Sequence, residues 1–363
     1  MSEKPTDPAG ADGPLAVSLR LQSLLDGVRV AKVVEVLAEL RVADVLTDGA
    51  LPVADIAVKV GADPDALYRV LRCAASYGVF TEEDGRRFGL TPMAELLRTG
   101  TKDSHRDLFR MVAGDLWWRP YGDLLETVRT GRPAAERVFG MPFYDYLRTN
   151  PVAADLFDRA MTQVSKGQAK AILSRRSFTS YRRIADIGGG HGYFLAQVLQ
   201  SSPRGKGVLL DLPDVVAGAP PVLEQHGVAD RVTVISGSFF DDLPAGCDAY
   251  LLKAVLINWP DDLAERILRR VREAIGDNPR ARLLVIEPVV PPGDVRDYSK
   301  ATDIDMLAII GGRQRTIAEW RRLLSAGGFD LVSEPIPGRR EVMECRPAGE
   351  PRSSRHIELK ENA

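Results

Sequence analysis

A chain of 363 residues is long for one core, so two domains are the natural expectation. Its 45% apolar and 27% charged residues describe an ordinary globular protein, and a formal charge of −2 argues against a large basic surface for nucleic acid or anionic lipid. Cys73, Cys247 and Cys345 lie far apart with no CxxC spacing, which argues against a disulfide framework or a metal site.

From the N-terminus, residues 1–14 are rich in Pro, Gly and Asp and are expected to be a disordered tail. They have neither a basic start nor an apolar core, so no signal peptide is expected. No apolar run approaches the ~20 residues that span a bilayer, and the chain reads as cytoplasmic. The next segment, to about residue 46, has a helical pattern with Leu21, Leu24, Leu25, Val28, Val33, Val36, Leu37 and Leu40 on more than one stripe. A helix that apolar needs burial on two sides, against a second copy of the chain or within its own core.

Residues 51–98 read as two short helices followed by a hairpin around the EEDG turn, a winged-helix layout. Its would-be recognition helix, 63–80, carries Asp63, Asp65, Arg69 and Arg72, which sum to zero charge. DNA-reading helices depend on Lys and Arg against phosphates, so a structural or dimerising role is favoured over a DNA-binding regulator. Residues 100–175 look helical with aromatic punctuation. Phe157 and Met161 share one helix face there, as plain core packing or as a roof over a ligand.

From Tyr181 the texture changes. RRIADIGGG, KGVLLDLP, RVTVISGSF, DAYLLKAVL and ARLLVIEP are apolar runs separated by helical stretches, the pattern of βαβ units and a parallel sheet. The strongest motif is ADIGGGHGYF at 185–194, whose glycines at 188, 190 and 192 let the backbone approach a ligand. A dinucleotide fingerprint needs glycine where Tyr193 stands. Asp211 follows at the end of the next strand, nineteen residues after Gly192, where a carboxylate accepts both hydroxyls of a ribose. Asp186, inside the loop, suits a cationic group better than a pyrophosphate. Ser238 and Phe239, closing the third strand, offer a hydrogen bond and a stacking face to a purine, although a buried strand-end phenylalanine is the plainer reading.

These three strand ends resemble the S-adenosylmethionine site of class I methyltransferases. With the N-terminal region, residues 15–345 resemble the small-molecule O-methyltransferase family of plant caffeate and bacterial natural-product enzymes. GMPFYDYL, LFDRAM, LPDVV, GSFFDDLPAG, LLKAVLINWPDD and DIDMLAIIGGRQRT match its order and spacing. The resemblance implies an α/β fold, a Rossmann-like catalytic domain at 176–346 behind a winged-helix dimerisation domain at 15–100, with a helical linker and lid at 101–175 and a polar tail at 347–363. It implies S-adenosylmethionine as cofactor, lined by Gly188, Gly190, Asp211, Leu212, Ser238, Phe239 and Lys253, with Phe157 and Met161 above it. It also implies a homodimer acting on an aromatic or polyketide-like small molecule.

One departure bears on mechanism. In the plant-type enzymes the turn after the fourth strand reads His-Asp-Trp and its histidine removes the substrate proton. Here the turn reads Ile257-Asn258-Trp259, which resembles the Leu-Asn-Trp of the anthracycline-type branch. Of the two assisting glutamates one is matched by Glu287, and the other is replaced by Gln314. Asn258 and Glu287 are therefore the candidate catalytic pair, and methyl transfer is expected to proceed by proximity. The alternative is a homologue that keeps the cofactor but hydroxylates, decarboxylates or cyclises its substrate. His191 in the glycine loop and His105, His226 and His356 in polar stretches are poor replacements for the missing base.

Overall fold

The computed structural model describes residues 13–332, 335–338 and 340–349, with the side chains of Arg340 and Glu341 left out. Most of the expected N-terminal tail, the polar tail beyond residue 349 and His356 lie outside the described residues. The chain divides into two compact units, Met1–Arg119 with Leu147–Val164, and Pro120–Tyr146 with Ser165–Ala363.

In the first unit a helix runs over Pro14–Glu39, opened by Pro14 at its first position and closed before Arg41, whose φ of 56° turns the chain out of it. The expected pair of helices follows at Val53–Val60 and Pro64–Ser76. The second is capped by Asp63, whose side chain accepts from the N–H groups of Asp65 and Ala66 at 3.1 and 2.8 Å. Strand β1 (Leu51–Pro52) and the hairpin β2 (Phe80–Glu83) and β3 (Arg87–Leu90) form an antiparallel sheet in the order β1-β3-β2. Leu37, Ile56, Leu71, Phe80 and Phe88 fill the core between helices and wing. Arg72 and Arg86 lie against the Tyr68 ring, at 5.4 and 4.3 Å from its centroid.

The first half of the long helix is apolar and uncovered. Leu15, Val17, Leu19, Leu21, Leu24, Leu25 and Val28 are each 52–73% exposed and lie on more than one side of the helix, apolar surface of the kind a second chain covers. Replacing Leu21 and Leu24 together by aspartate is expected to halve the particle mass in light scattering. An unchanged mass would remove this face from the interface.

The second unit holds the large sheet. Its strands are β4 (Arg183–Ile187), β5 (Lys206–Asp211), β6 (Val232–Ser236), β7 (Ala249–Lys253), β8 (Arg282–Val290), β9 (Arg315–Thr316), β10 (Phe329–Leu331) and β11 (Arg340–Pro347). The order is β10-β11-β8-β7-β4-β5-β6, with β9 paired to β8. The five expected runs are β4 to β8, all parallel. The sheet is not wholly parallel, however, because β11 joins β8 antiparallel and β10 extends it. In β11, Met343 and Cys345 are fully buried while Glu344 between them pairs with Arg176 and Arg282, a period of two hidden among charges. The helix Asp261–Ile275 covers one face through Ala264, Ile267, Leu268, Val271 and Ile275, the stripe a 3.6-residue period provides. Among the described residues no helix is long and apolar enough to cross a membrane.

The chain runs outward from β4 to β5 and β6 on one side and through β7 to β8 on the other. The reversal lies between β4 and β7, and ligands of open α/β sheets bind outside the carboxyl ends of the strands at such a point. There ADIGGG meets LLKAV.

Candidate functional site

The loop after β4 is built by close approach. Gly188 has φ 70°, and a Cβ there would stand 2.9 Å from Val255 Cγ2 and 3.5 Å from the Phe239 ring. A side chain at 188 would therefore strain the backbone and fill the space above β4. The loop is tied to β5 by the Gly188 N–H, which donates to Leu210 O at 2.8 Å. Asp211, at the end of β5, accepts from the N–H groups of Gly190 (2.8 Å) and Leu212 (2.8 Å). Burial raises its carboxyl above the ordinary range, and these two N–H groups and His191 oppose the rise. The His191 ring packs on Gly218, where an added Cβ would stand 2.8 Å from Nε2.

Asp186 is almost fully buried beneath this loop, and burial pushes its carboxyl up to about 7, with Lys253 lowering it and Asp211 raising it further. Its Oδ2 has no hydrogen-bond partner. A donor or cation placed beside it would relieve the cost of that unpaired buried oxygen. Lys253, closing β7, donates from Nζ to Ser165 Oγ at 3.0 Å and lies over the Phe194 ring. After β6, Ser238 Oγ accepts from the Phe240 N–H at 3.1 Å. Phe239 meets Phe240 and Trp259 edge to face, with centroids 5.0 and 5.8 Å away. Leu212, directly after β5, is exposed.

The turn after β7 holds the missing-base position. Leu256–Asn258 form one 3₁₀ turn with Ile257 only 7% exposed. The Asn258 amide donates from Nδ2 to Ala254 O at 3.1 Å, which leaves its carbonyl oxygen oriented by that bond. Glu287 is completely buried on β8, with Oε1 accepting from Val255 N (2.9 Å) and Leu256 N (3.1 Å). Gln314 is buried too, donating from Nε2 to Thr302 Oγ1 at 3.3 Å. Its loop presses on the turn: a Cβ at Gly312 would lie 2.0 Å from Ile257 O.

Among the second unit's predicted residues, the loop glycines, Asp211, Leu212, Ser238, Phe239 and Lys253 thus stand at neighbouring strand ends, and Asn258 and Glu287 on either side of one turn. Phe157 and Met161 belong to the first unit, on the helix Pro151–Leu173, where Phe157 stacks against Trp117 at 6.3 Å. His105 is exposed and His226 is half-buried against Tyr193. Sequence reading missed three residues. Arg315 is fully buried and bonded to the turn. Tyr121 donates to Asp305, and burial with that bond raises its phenol far above the usual range. Tyr144, on the helix Phe143–Thr149, is 38% exposed as a whole residue, and local desolvation and the Asp211 carboxylate together hold its phenol above the usual range. No spacing or composition marks these three. Among the described residues no group of three His, Cys, Asp or Glu is arranged to hold a metal.

The pocket residues fit a nucleoside carrying a cation: a glycine cradle that a Cβ would fill, a carboxylate for ribose hydroxyls and a buried acid lacking a partner. Comparison with known proteins agrees. A family model for an O-methyltransferase domain matches residues 121–330, and one for an O-methyltransferase dimerisation domain matches residues 22–100, which includes Leu24, Leu25 and Val28 of the exposed face. The chain is 42% identical over 321 residues to 8-amino-8-demethylriboflavin N,N-dimethyltransferase of Streptomyces davaonensis, covering 88% of this chain and 92% of that one. It is 36% identical over 311 residues to aclacinomycin 10-hydroxylase RdmB of Streptomyces purpurascens, covering 84% and 82%. It also resembles the solved structure of NcsB1, an O-methyltransferase from neocarzinostatin biosynthesis in complex with S-adenosylmethionine and 2-hydroxy-5-methyl naphthoic acid. There the TM-score is 0.76 at 32% identity, over 94% of this chain and 99% of that one. With both of its domain models matched along one chain, this protein belongs to the S-adenosylmethionine-dependent O-methyltransferase family.

Proposed function

We propose that this enzyme methylates a hydroxyl of an aromatic, polyketide-like small molecule, and that it does so by holding the acceptor in place, without a protein base. The observation that carries this reading is the turn after β7, where a buried Ile257 and a backbone-anchored Asn258 stand where a histidine would be needed. Bound S-adenosylmethionine supplies a sulfonium-activated methyl group. The loop of Gly188 and Gly190 lets the backbone approach it, Asp211 accepts its ribose hydroxyls, and Leu212, Ser238 and Phe239 border the adenine. Lys253 sets the floor beside Asp186, which faces the cationic end. The assignment of Phe157 and Met161 to the cofactor rests on resemblance alone. Asn258 orients the acceptor oxygen, and Glu287, the other member of the expected pair, acts from behind the turn.

The magnitudes favour this division of labour. A general base contributes about 10²–10⁴-fold, whereas near-attack positioning supplies roughly 7–11 kcal/mol. An acidic phenol loses its proton to water unaided near neutral pH. Two relatives define the competing outcomes: a dimethyltransferase acting on an amine and a hydroxylase. Turnover of polycyclic phenols and their amino analogues with methyl-labelled cofactor separates them. We expect one labelled methyl on oxygen and one S-adenosylhomocysteine released per turnover. Label confined to nitrogen would reassign the acceptor, and an oxidised product with the cofactor intact would reject methyl transfer. We place the protein in the cytoplasm, where the buried Cys247 and Cys345 stay reduced.

A further inference from the structure

Two opposite charges, Glu287 and Arg315, converge on the turn after β7. Ala254 is held at φ 55°, a left-handed conformation that a non-glycine residue keeps only when its surroundings fix it. Val255 follows at φ −105° and ψ −56°, in the right-handed region. A left-handed residue followed by a right-handed one aims successive N–H groups at a single point and creates a small anion-binding concavity. The anion in it is Glu287, whose Oε1 takes both the Val255 and the Leu256 N–H.

Arg315 grips the same turn from its carbonyl side. Fully buried, it donates from Nη1 to Leu256 O and from Nη2 to Trp259 O, each at 2.9 Å, and from Nε to Asp261 Oδ1 at 2.9 Å. Leu256 is thus held through its N–H by a carboxylate and through its C=O by a guanidinium. Between these grips stand Ile257 and Asn258. Ile257 O is itself engaged by the Arg313 N–H at 2.8 Å, so the turn has few backbone groups left to move on.

We propose that Glu287 and Arg315 are positioning residues, a buried charge clamp that fixes the strained turn carrying Asn258, and that Glu287 exchanges no proton during the reaction. The proposal builds on the base-free methyl transfer argued above. A glutamine at 287 keeps an acceptor for the two N–H groups but cannot act as a base. An alanine leaves both buried N–H groups without a partner.

Hydrogen exchange of a peptide covering 251–260 reads the clamp whether or not the enzyme methylates any tested phenol. In Glu287→Gln the amides of Val255 and Leu256 should stay protected. In Glu287→Ala they should exchange about 10- to 100-fold faster, as expected for orphaned buried donors. Arg315→Lys, which cannot span three acceptors, should loosen the same peptide. In turnover, Glu287→Gln should lower kcat by less than about tenfold, with the pH profile and the KM for S-adenosylmethionine retained. Unchanged exchange in both Glu287→Ala and Arg315→Lys would overturn the clamp. A loss of about 10²–10⁴ in kcat for Glu287→Gln with a vanished limb of the pH profile would overturn it in favour of acid–base catalysis. Should Glu287→Ala fail to fold, the Gln and Lys variants still decide.

Discussion

Replacing Asp211 by alanine is expected to weaken S-adenosylmethionine binding by roughly 10²–10⁴-fold, since hydrogen bonds to a charged group contribute about 1.5–3 kcal/mol each. The carboxylate serves two masters. Its oxygens anchor the glycine loop through Gly190 N and the next turn through Leu212 N, and each keeps a lone pair for a ribose hydroxyl. On the proposed binding mode, alanine would remove both ribose bonds, and it frees the loop that Asp211 holds through Gly190 N. Asparagine at 211 should lie between the two, because it retains one acceptor. Calorimetry with S-adenosylhomocysteine checks this, and affinity within a factor of three of the parent would remove Asp211 from the cofactor site.

The second large effect concerns Asp186 and pH. Its folded carboxyl titrates near 7 against 3.8 for an ordinary aspartate, chiefly through burial. The folded protein therefore holds this proton more tightly than the unfolded chain does. The stability it contributes is fully present below the unfolded value and is lost as pH rises through about 7, by at most about 1.4 kcal/mol per pH unit. Thermal melts of the cofactor-free protein should fall between pH 5 and 8. In Asp186→Asn that slope should flatten, with higher stability at pH 8. Cofactor binding should move the opposite way, because its ammonium favours the carboxylate: affinity should climb over the same window in the parent and not in the variant. A cofactor-free stability that rises with pH, or an Asn variant binding as tightly as the parent at pH 8, would contradict this reading of Asp186.

Much of this site was legible before any coordinates. Strands β4, β5, β7 and β8 are largely buried and so appear as apolar runs with site residues at or near their carboxyl ends, whereas the edge strand β6 is partly exposed and is legible mainly through Val232, Val234 and Ile235. Asp211 is legible from its place at the end of the second apolar run, nineteen residues after Gly192. Strand β11 was missed because only Val342, Met343 and Cys345 are apolar in a run of charges, and its partner β10 has three residues. Arg315 is one of two arginines flanking Gln314, and no property of the sequence says which is buried: Arg313 is exposed and Arg315 is not. Least legible was Ala254. Glycine usually announces a left-handed position, and an alanine there is visible only once the two N–H groups behind it are seen to meet one carboxylate. Glu287 itself was recognised through the family pattern, which names the residue but not the backbone groups it holds.

Whether any side chain removes the acceptor proton is decided by the pH dependence of single-turnover methyl transfer for a series of phenols of graded acidity, each saturating and with the cofactor prebound. If positioning alone drives the reaction, the midpoint of each profile moves with the phenol's own ionisation, and Asn258→Ala lowers the plateau without shifting that midpoint. A midpoint fixed near 6.5 for every phenol, the value of an ordinary histidine, would contradict it and place a protein base in the site.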